Sequence, residues 1–172
     1  NQLKTSIGTW KSEVGTIIID DKHAKTGKQC LQLTGGEEST VTLHLTKAVE
    51  TASELTFWAE RWTKRAPFSF RIATDLGKGW KEIYNGDERI QVGRAFLSQI
   101  KVRIPVGIKR LKFSCTSPPN TGILIDDVRI DPIRPQEITS IEVVPLSLPV
   151  LVGNEASALL KLKIETRGQR DP

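Results

Sequence analysis

Apolar and polar residues alternate with a period of two along most of this chain. Period two marks strands with one buried face, because successive side chains on a strand point to opposite sides. Nine stretches carry it: TIIID (16–20), KQCLQL (28–33), TVTLHLT (40–46), ELTFWAE (54–60), FSFRIAT (68–74), WKEIYN (80–85), LSQIKVRIP (97–105), IKRLKFSC (108–115) and GILIDDVRI (122–130). Clusters such as GGEES, LGKGW, NGD and TSPPNTG separate them, and their Gly, Pro, Asn and Asp residues suit tight turns. One segment, AVETASE (48–54), reads as a short helical turn. Many short strands between turn signals predict an all-β chain, an antiparallel β-sandwich of jelly-roll type.

The pattern changes near residue 131. DPIRPQE (131–137) carries two prolines and no alternation, and reads as a linker. After it, residues 138–168 hold two further strands around a turn at Gly153-Asn154. Two strands bury too little apolar surface to stand alone. The expected organisation is a module over 1–131, a linker over 132–137, and over 138–172 the beginning of a second β-domain, so the chain reads as part of a longer protein.

Parity sorts the tryptophan-rich stretch ELTFWAERWTKR (54–65) into two surfaces. Leu55, Phe57 and Ala59 form a core side; Thr56, Trp58, Glu60 and Trp62 form the other. In the next two strands Phe68, Phe70, Ile72 and Ile83 go to the core, whereas Arg71, Trp80, Glu82 and Tyr84 go opposite. If these strands are neighbours, one outer face gathers Trp58, Trp62, Arg71, Trp80 and Tyr84, with Glu60 and Glu82 among them. Arg61 and Arg65 fall at the strand's end, where a loop can turn them toward an acid. Flat aromatic surface beside planar, bidentate Arg and Glu groups is what a sugar ring needs, with its apolar C–H face and hydroxyl rim. The alternative is that the indoles pack under a loop or a neighbouring domain.

Composition narrows the classes. Hydrophobic residues make up 38% of the 172 residues, and no apolar run approaches the roughly 20 residues of a membrane helix. The net charge is +5, from 25 basic and 20 acidic residues spread along the chain. That balance suits an anionic partner or a mildly basic solvated surface. Glu60 and Glu82, on the aromatic face, would repel phosphate and argue against nucleic acid. Cys115 shares a face with Leu111 and Phe113, whereas Cys30 lies opposite Leu31 and Leu33, which favours free thiols over a pair.

Catalytic patterns are absent. His23 and His44 have no Cys or carboxylate spacing that reads as a metal site, and there is no GxSxG, P-loop or GxGxxG. Asp20-Asp21 and Asp126-Asp127 are paired acids, but the sequence offers no argument for a cleft in which they would act as glycosidase carboxylates.

ATDLGKGW (73–80) holds Asp75, Gly77 and Trp80 in a D-x-G-x-x-W pattern. It resembles the Asp box of sialidase propellers, with Ala73 in place of Ser. In such a box the Asp closes a hairpin turn, the Gly takes positive φ and the Trp packs behind. VRIP (102–105) has the Arg-Ile-Pro look of sialidase catalytic domains, but an Arg in a strand that ends at Pro accounts for it. GILIDDVRI resembles the closing strand of jelly-roll carbohydrate-binding modules. That resemblance implies a structural Ca²⁺ held by Asp20, Asp21 and Asp127, from an early loop and the last strand, since hard oxygen ligands suit it. VLVGNEASALLKLKIETRG (150–168) resembles the opening of the β-domain that precedes the propeller in bacterial BNR-repeat sialidases, of the kind found in Bacteroidetes. Together these resemblances imply a non-catalytic module, secreted, periplasmic or at the cell surface, that brings a C-terminal sialidase domain to sialylated, mucin-type glycans. The parity argument, which is compatible with this role, puts the expected glycan site on Trp58, Glu60, Arg61, Trp62, Arg65, Arg71, Trp80 and Tyr84. The alternatives are the same module on another glycosidase or a mucin-targeting peptidase, binding neutral galactosides or protein, or a spacer packed on its catalytic domain.

Overall fold

The structure, a computed structural model, describes residues 2–14, 17–134, 137–145, 150–152, 155–157 and 160–167. The chain divides into two compact units, Asn1–Ile133 and Arg134–Pro172. In the first unit the strands are β1 (Gln2–Lys4), β2 (Gly8–Val14), β3 (Ile17–Asp20), β4 (Cys30–Thr34), β5 (Ser39–Leu45), β6 (Ser53–Arg61), β7 (Ser69–Asp75), β8 (Trp80–Asn85), β9 (Ser98–Ile104), β10 (Arg110–Thr116) and β11 (Gly122–Pro132). The nine strands expected from alternation are β3 to β11. β1 and β2 are additional, and the expected helical turn at 48–54 is irregular chain that runs into β6.

A six-stranded sheet has the order β1-β2-β5-β10-β7-β8, and a five-stranded sheet the order β3-β4-β11-β6-β9. Every strand pair is antiparallel. From β4 onward the chain changes sheets at each connection except the β7–β8 hairpin, which is jelly-roll connectivity. The all-β sandwich is therefore as the alternation predicts.

The core lies between the sheets. Leu55, Phe57, Ala59, Ile123 and Ile125 from one sheet meet Val41, Leu43, Phe70, Ile72, Leu111 and Phe113 from the other. Phe57 stands edge-on to Phe70 and Phe113, with centroids 6.1 Å apart in each case. Each such ring removed from water contributes roughly 1.5–3 kcal/mol. Gly122 opens β11 at φ +148°, and a Cβ there would sit 2.1 Å from the Leu33 carbonyl oxygen, so only glycine lets β11 close on β4.

Cys30 and Cys115 are both free and buried. Cys115 belongs to the inner core, and Cys30 to a smaller cluster with Phe96 and Leu124. Burial pushes both thiols up to about 12; for Cys30 the carboxylates of Asp20, Asp126 and Glu60 add to it.

The second unit holds β12 (Glu137–Pro145), β13 (Val150–Val152), β14 (Glu155–Ser157) and β15 (Leu160–Arg167). β12 pairs with β15 and β13 with β14, so four strands replace the two expected. The turn at Gly153-Asn154 lies outside the described residues. The expected linker is short, because β11 runs to Pro132 and β12 begins at Glu137.

Candidate functional site

The outer surface of the six-stranded sheet is built from the residues that alternate with its core side chains. Registers set them in cross-strand rows. One row runs Lys11, Thr42, Lys112, Ala73 and Glu82 across β2, β5, β10, β7 and β8. A neighbouring row holds Thr9, His44 and Arg110, then Asp75 opposite Trp80. Five strands at about 4.8 Å spacing make each row about 19 Å wide.

Trp80 stands at one end of this strip. It is the most exposed aromatic side chain among the described residues, at 36%. The Lys112 ammonium lies 4.6 Å and the Arg110 guanidinium 5.2 Å from the indole centroid. The turn before it is the Asp-box hairpin that the motif implies. Asp75 Oδ1 accepts from Gly77 N–H (2.7 Å) and Gly79 N–H (3.2 Å), both glycines have positive φ, and Asp75 pairs with Arg110. The Gly77 N–H, and then Arg110, hold the Asp75 carboxyl below its usual range against partial desolvation. The Trp does not pack behind the turn but lies open on the sheet.

Arg71 is on the same surface and is locked. It pairs with Asp87, its Nε lies 3.3 Å from Glu82, and its Nη1 donates to Asn85 Oδ1 (3.0 Å). The Arg71 contact keeps the Asp87 carboxyl low, helped by the Phe70 N–H. The acids of the strip are thus engaged: Asp75 by Arg110, Glu82 and Asp87 by Arg71, and Glu13 by the Thr42 hydroxyl. Lys112 is set on the indole.

The structure does not assemble the single aromatic face expected from parity. β6 lies in the five-stranded sheet, while β7 and β8 lie in the six-stranded one. Trp58, Glu60 and Trp62 are therefore on the opposite side of the sandwich from Arg71 and Trp80. That side is also partly closed. Trp58 and Trp62 pack against Cys30, Phe96 and Leu124, and the Lys25 ammonium covers Trp58 at 3.9 Å. Glu60, expected outside, is fully buried: its Oε2 accepts from Phe96 N–H (2.7 Å), and its Oε1 has no partner. The loop from Gly86 to Leu97 covers it, because Phe96 brings its own apolar surface down onto the sheet.

Two further residues depart from the expected placement. Arg61 follows the parity of Ala59, and its guanidinium lies 4.4 Å over the Phe68 ring, away from the tryptophans. Tyr84 points inward onto Phe70, at 6.4 Å. The cause is a bulge: Ile72 pairs with Tyr84 but Ala73 with Glu82, so Ile83 is an extra residue and the alternation slips.

Trp62 and Arg65 reach a different feature, a cleft of about 580 Å³ at one end of the sandwich, lined also by His23, Arg94 and Asn120. His23 stands edge-on to Trp62 at 5.7 Å.

The loop after β3 and strand β11 do meet, as the calcium expectation requires. Their junction is made by hydrogen bonds: Asp126 Oδ2 accepts from Lys25 N–H (2.7 Å) and Thr26 N–H (3.2 Å), and Asp127 Oδ1 from the Thr26 hydroxyl (2.5 Å). Asp20 turns to Lys22 N–H, His23 N–H and the His23 ring, and Asp21 is exposed. These oxygens face donors and not one another, and among the described residues no group of three or more His, Cys, Asp or Glu side chains is placed to hold a metal ion.

The sandwich shares its jelly-roll fold with solved carbohydrate-binding modules. No family model matches the sequence, and no curated protein matches it. Solved structures do match its fold. TmCBM61, solved with β-1,4-galactotriose, superposes with a TM-score of 0.50 at 12% identity, covering 72% of this chain and 87% of that one. A family 16 carbohydrate-binding module superposes at 0.50 with 11% identity over 71% and 89%. The CBM22-1 xylan-binding domain of Paenibacillus barcinonensis Xyn10C superposes at 0.50 with 20% identity over 73% and 86%.

Sequence reasoning missed Lys11, His44, Arg110 and Lys112 on the strip. Alternation in IKRLKFSC already put Arg110 and Lys112 opposite Leu111 and Phe113. What it lacked was that β10 is the neighbour of β7.

Proposed function

We propose that the first unit is a non-catalytic module whose glycan lies along the outer face of the six-stranded sheet, against Trp80. We extend the proposal to the ligand class: sialylated, mucin-type glycans, to which the module carries a linked sialidase at the outside of a bacterial cell. The observation that carries the reading is Trp80, an indole at the end of a strip about 19 Å wide, exposed at 36% and flanked by Arg110 and Lys112. An indole offers the flat apolar surface that a sugar's C–H face covers, and polar side chains along the rows meet hydroxyls. Lys11 and Lys112, neither with a carboxylate within salt-bridge distance among the described residues, suit an anionic ligand. The C-terminal resemblance supports sialidase as the cargo, and avidity supplies the benefit: a tethered module raises the effective substrate concentration for a linked active site.

Glycan arrays with the full chain test this, before and after enzymatic desialylation. Binding to sialylated glycans alone, weakened in Trp80→Ala, is the expected result. Binding that survives desialylation selects the second reading, neutral galactosides, which the galactotriose-bound TmCBM61 neighbour favours. No glycan binding at all leaves a spacer.

A further inference from the structure

The end cleft is separate from the sheet face and shares none of its residues. Its walls come from four connections: His23 from β3–β4, Trp62 and Arg65 from β6–β7, Arg94 from β8–β9, and Asn120 from β10–β11. Backbone hydrogen bonds tie these connections to the sandwich. Arg61 N–H donates to Gln91 O (3.1 Å), Gly93 N–H to Arg61 O (3.3 Å), and Trp62 N–H to Gly122 O (3.4 Å). The Thr121 hydroxyl closes its own turn onto Pro118 O at 2.6 Å. The side chains of the cleft therefore stand on anchored backbone.

The cleft is basic: Arg65 and Arg94 are among its lining residues, which include no carboxylate, and the Asp20 carboxylate beside His23 is already occupied. Asp20, 8% exposed, accepts from two backbone N–H groups and lies 3.3 Å from His23 Nδ1, which fixes the ring beside Trp62. Burial pushes the Asp20 carboxyl up, but the Lys22 and His23 N–H groups outweigh it and keep the group ionised. Among the described residues Arg65 bonds only to Thr63, through its N–H and its Nε. Among the described residues neither Arg65 nor Arg94 has a carboxylate within salt-bridge distance. Two arginines from different loops, beside an indole edge-on to an imidazole, offer bidentate donors next to a flat apolar wall.

That combination matches one ligand chemistry. A guanidinium recognises a carboxylate through paired parallel hydrogen bonds, and the indole takes an apolar ring face. We propose that this cleft is a second binding site, for a pyranose bearing a carboxylate, such as a uronate or a sialate. It deepens the glycan-binding reading and rests on it, but it does not involve Trp80. The module then has two contacts with one acidic glycan or with two chains: a strip along the sheet and a socket at the end.

The test uses the full chain and tryptophan emission, with calorimetry in parallel. N-acetylneuraminic acid and glucuronic acid are titrated against galactose and against the methyl esters of both acids. The acids are expected to bind and to change the emission of the wild type and of Trp80→Ala alike, with the esters and galactose inert. Arg65→Ala with Arg94→Ala is expected to lower affinity for the acids by about a hundredfold, or about tenfold for each guanidinium removed. Both arginines are on loops and exposed, so the fold is kept, and an unchanged melting temperature checks this. Acid binding that the double variant retains overturns the site, as does acid binding abolished in Trp80→Ala, or no acid binding by the wild type. Equal affinity for inorganic sulfate overturns the sugar assignment. Sialoglycan binding on arrays that persists in the double variant but not in Trp80→Ala overturns the cleft and leaves the sheet face standing.

Discussion

Trp80→Ala tests the sheet face most directly, and its size follows from the exposure of the ring. About 36% of Trp80 is open beside Lys112 and Arg110. A tryptophan offers about 250 Å², so about 90 Å² is available to a ligand. Covering it at about 25 cal/mol per Å² contributes about 2 kcal/mol, close to a 30-fold change in Kd. Trp80→Phe keeps part of that surface and should lose less. Stability should fall modestly, because the two stacked cations each contribute about 0.5–1 kcal/mol at an exposed site. For a unit of this size that is a drop of roughly 5 °C in Tm. Isothermal titration with a soluble sialylated oligosaccharide measures the first quantity and scanning calorimetry the second. A Kd within about threefold of wild type, with the fold intact, refutes the argument that the glycan covers this ring.

Other outcomes follow from the same structure. Gly122→Ala should fail to fold or lose more than about 3 kcal/mol, since its Cβ would lie 2.1 Å from Leu33 O at φ +148°; denaturant titration checks this. Cys30 and Cys115, with thiols pushed up to about 12 by burial, should resist a thiol reagent at neutral pH in the native state and react in denaturant. Asp20, Asp75 and Asp87 titrate below the ordinary 3.8 in the folded chain. Their contribution is complete above that value and is lost as the pH falls through the lowered pKa values. Thermal melts should therefore weaken on acidification below about pH 4, and Asp87→Asn should flatten part of that dependence.

How the fold showed in the sequence explains how the site did not. Alternation marks strands whose core side carries large apolar residues, as most of β3 to β11 do. β2 does not: in GTWKSEV the core side is marked chiefly by Trp10. Within a strand, parity placed Leu55, Phe57 and Ala59 correctly. Between strands it carried no information, since jelly-roll connections send β6 and β7 to different sheets. Glu60 was misread for a related reason. Its own strand says outside, and only the fold shows that Phe96 covers it. A local pattern therefore identifies candidate side chains, while long-range pairing decides which of them meet.

The extra residue Ile83 has an effect beyond the direction of Tyr84. β8 is the last strand of its sheet, and its free edge would otherwise offer a ladder for a second copy to join. With one residue out of step between Ile72 and Ala73, that edge cannot present an even row of donors and acceptors. The irregularity thus makes the border where Trp80 lies open a poor template for strand addition.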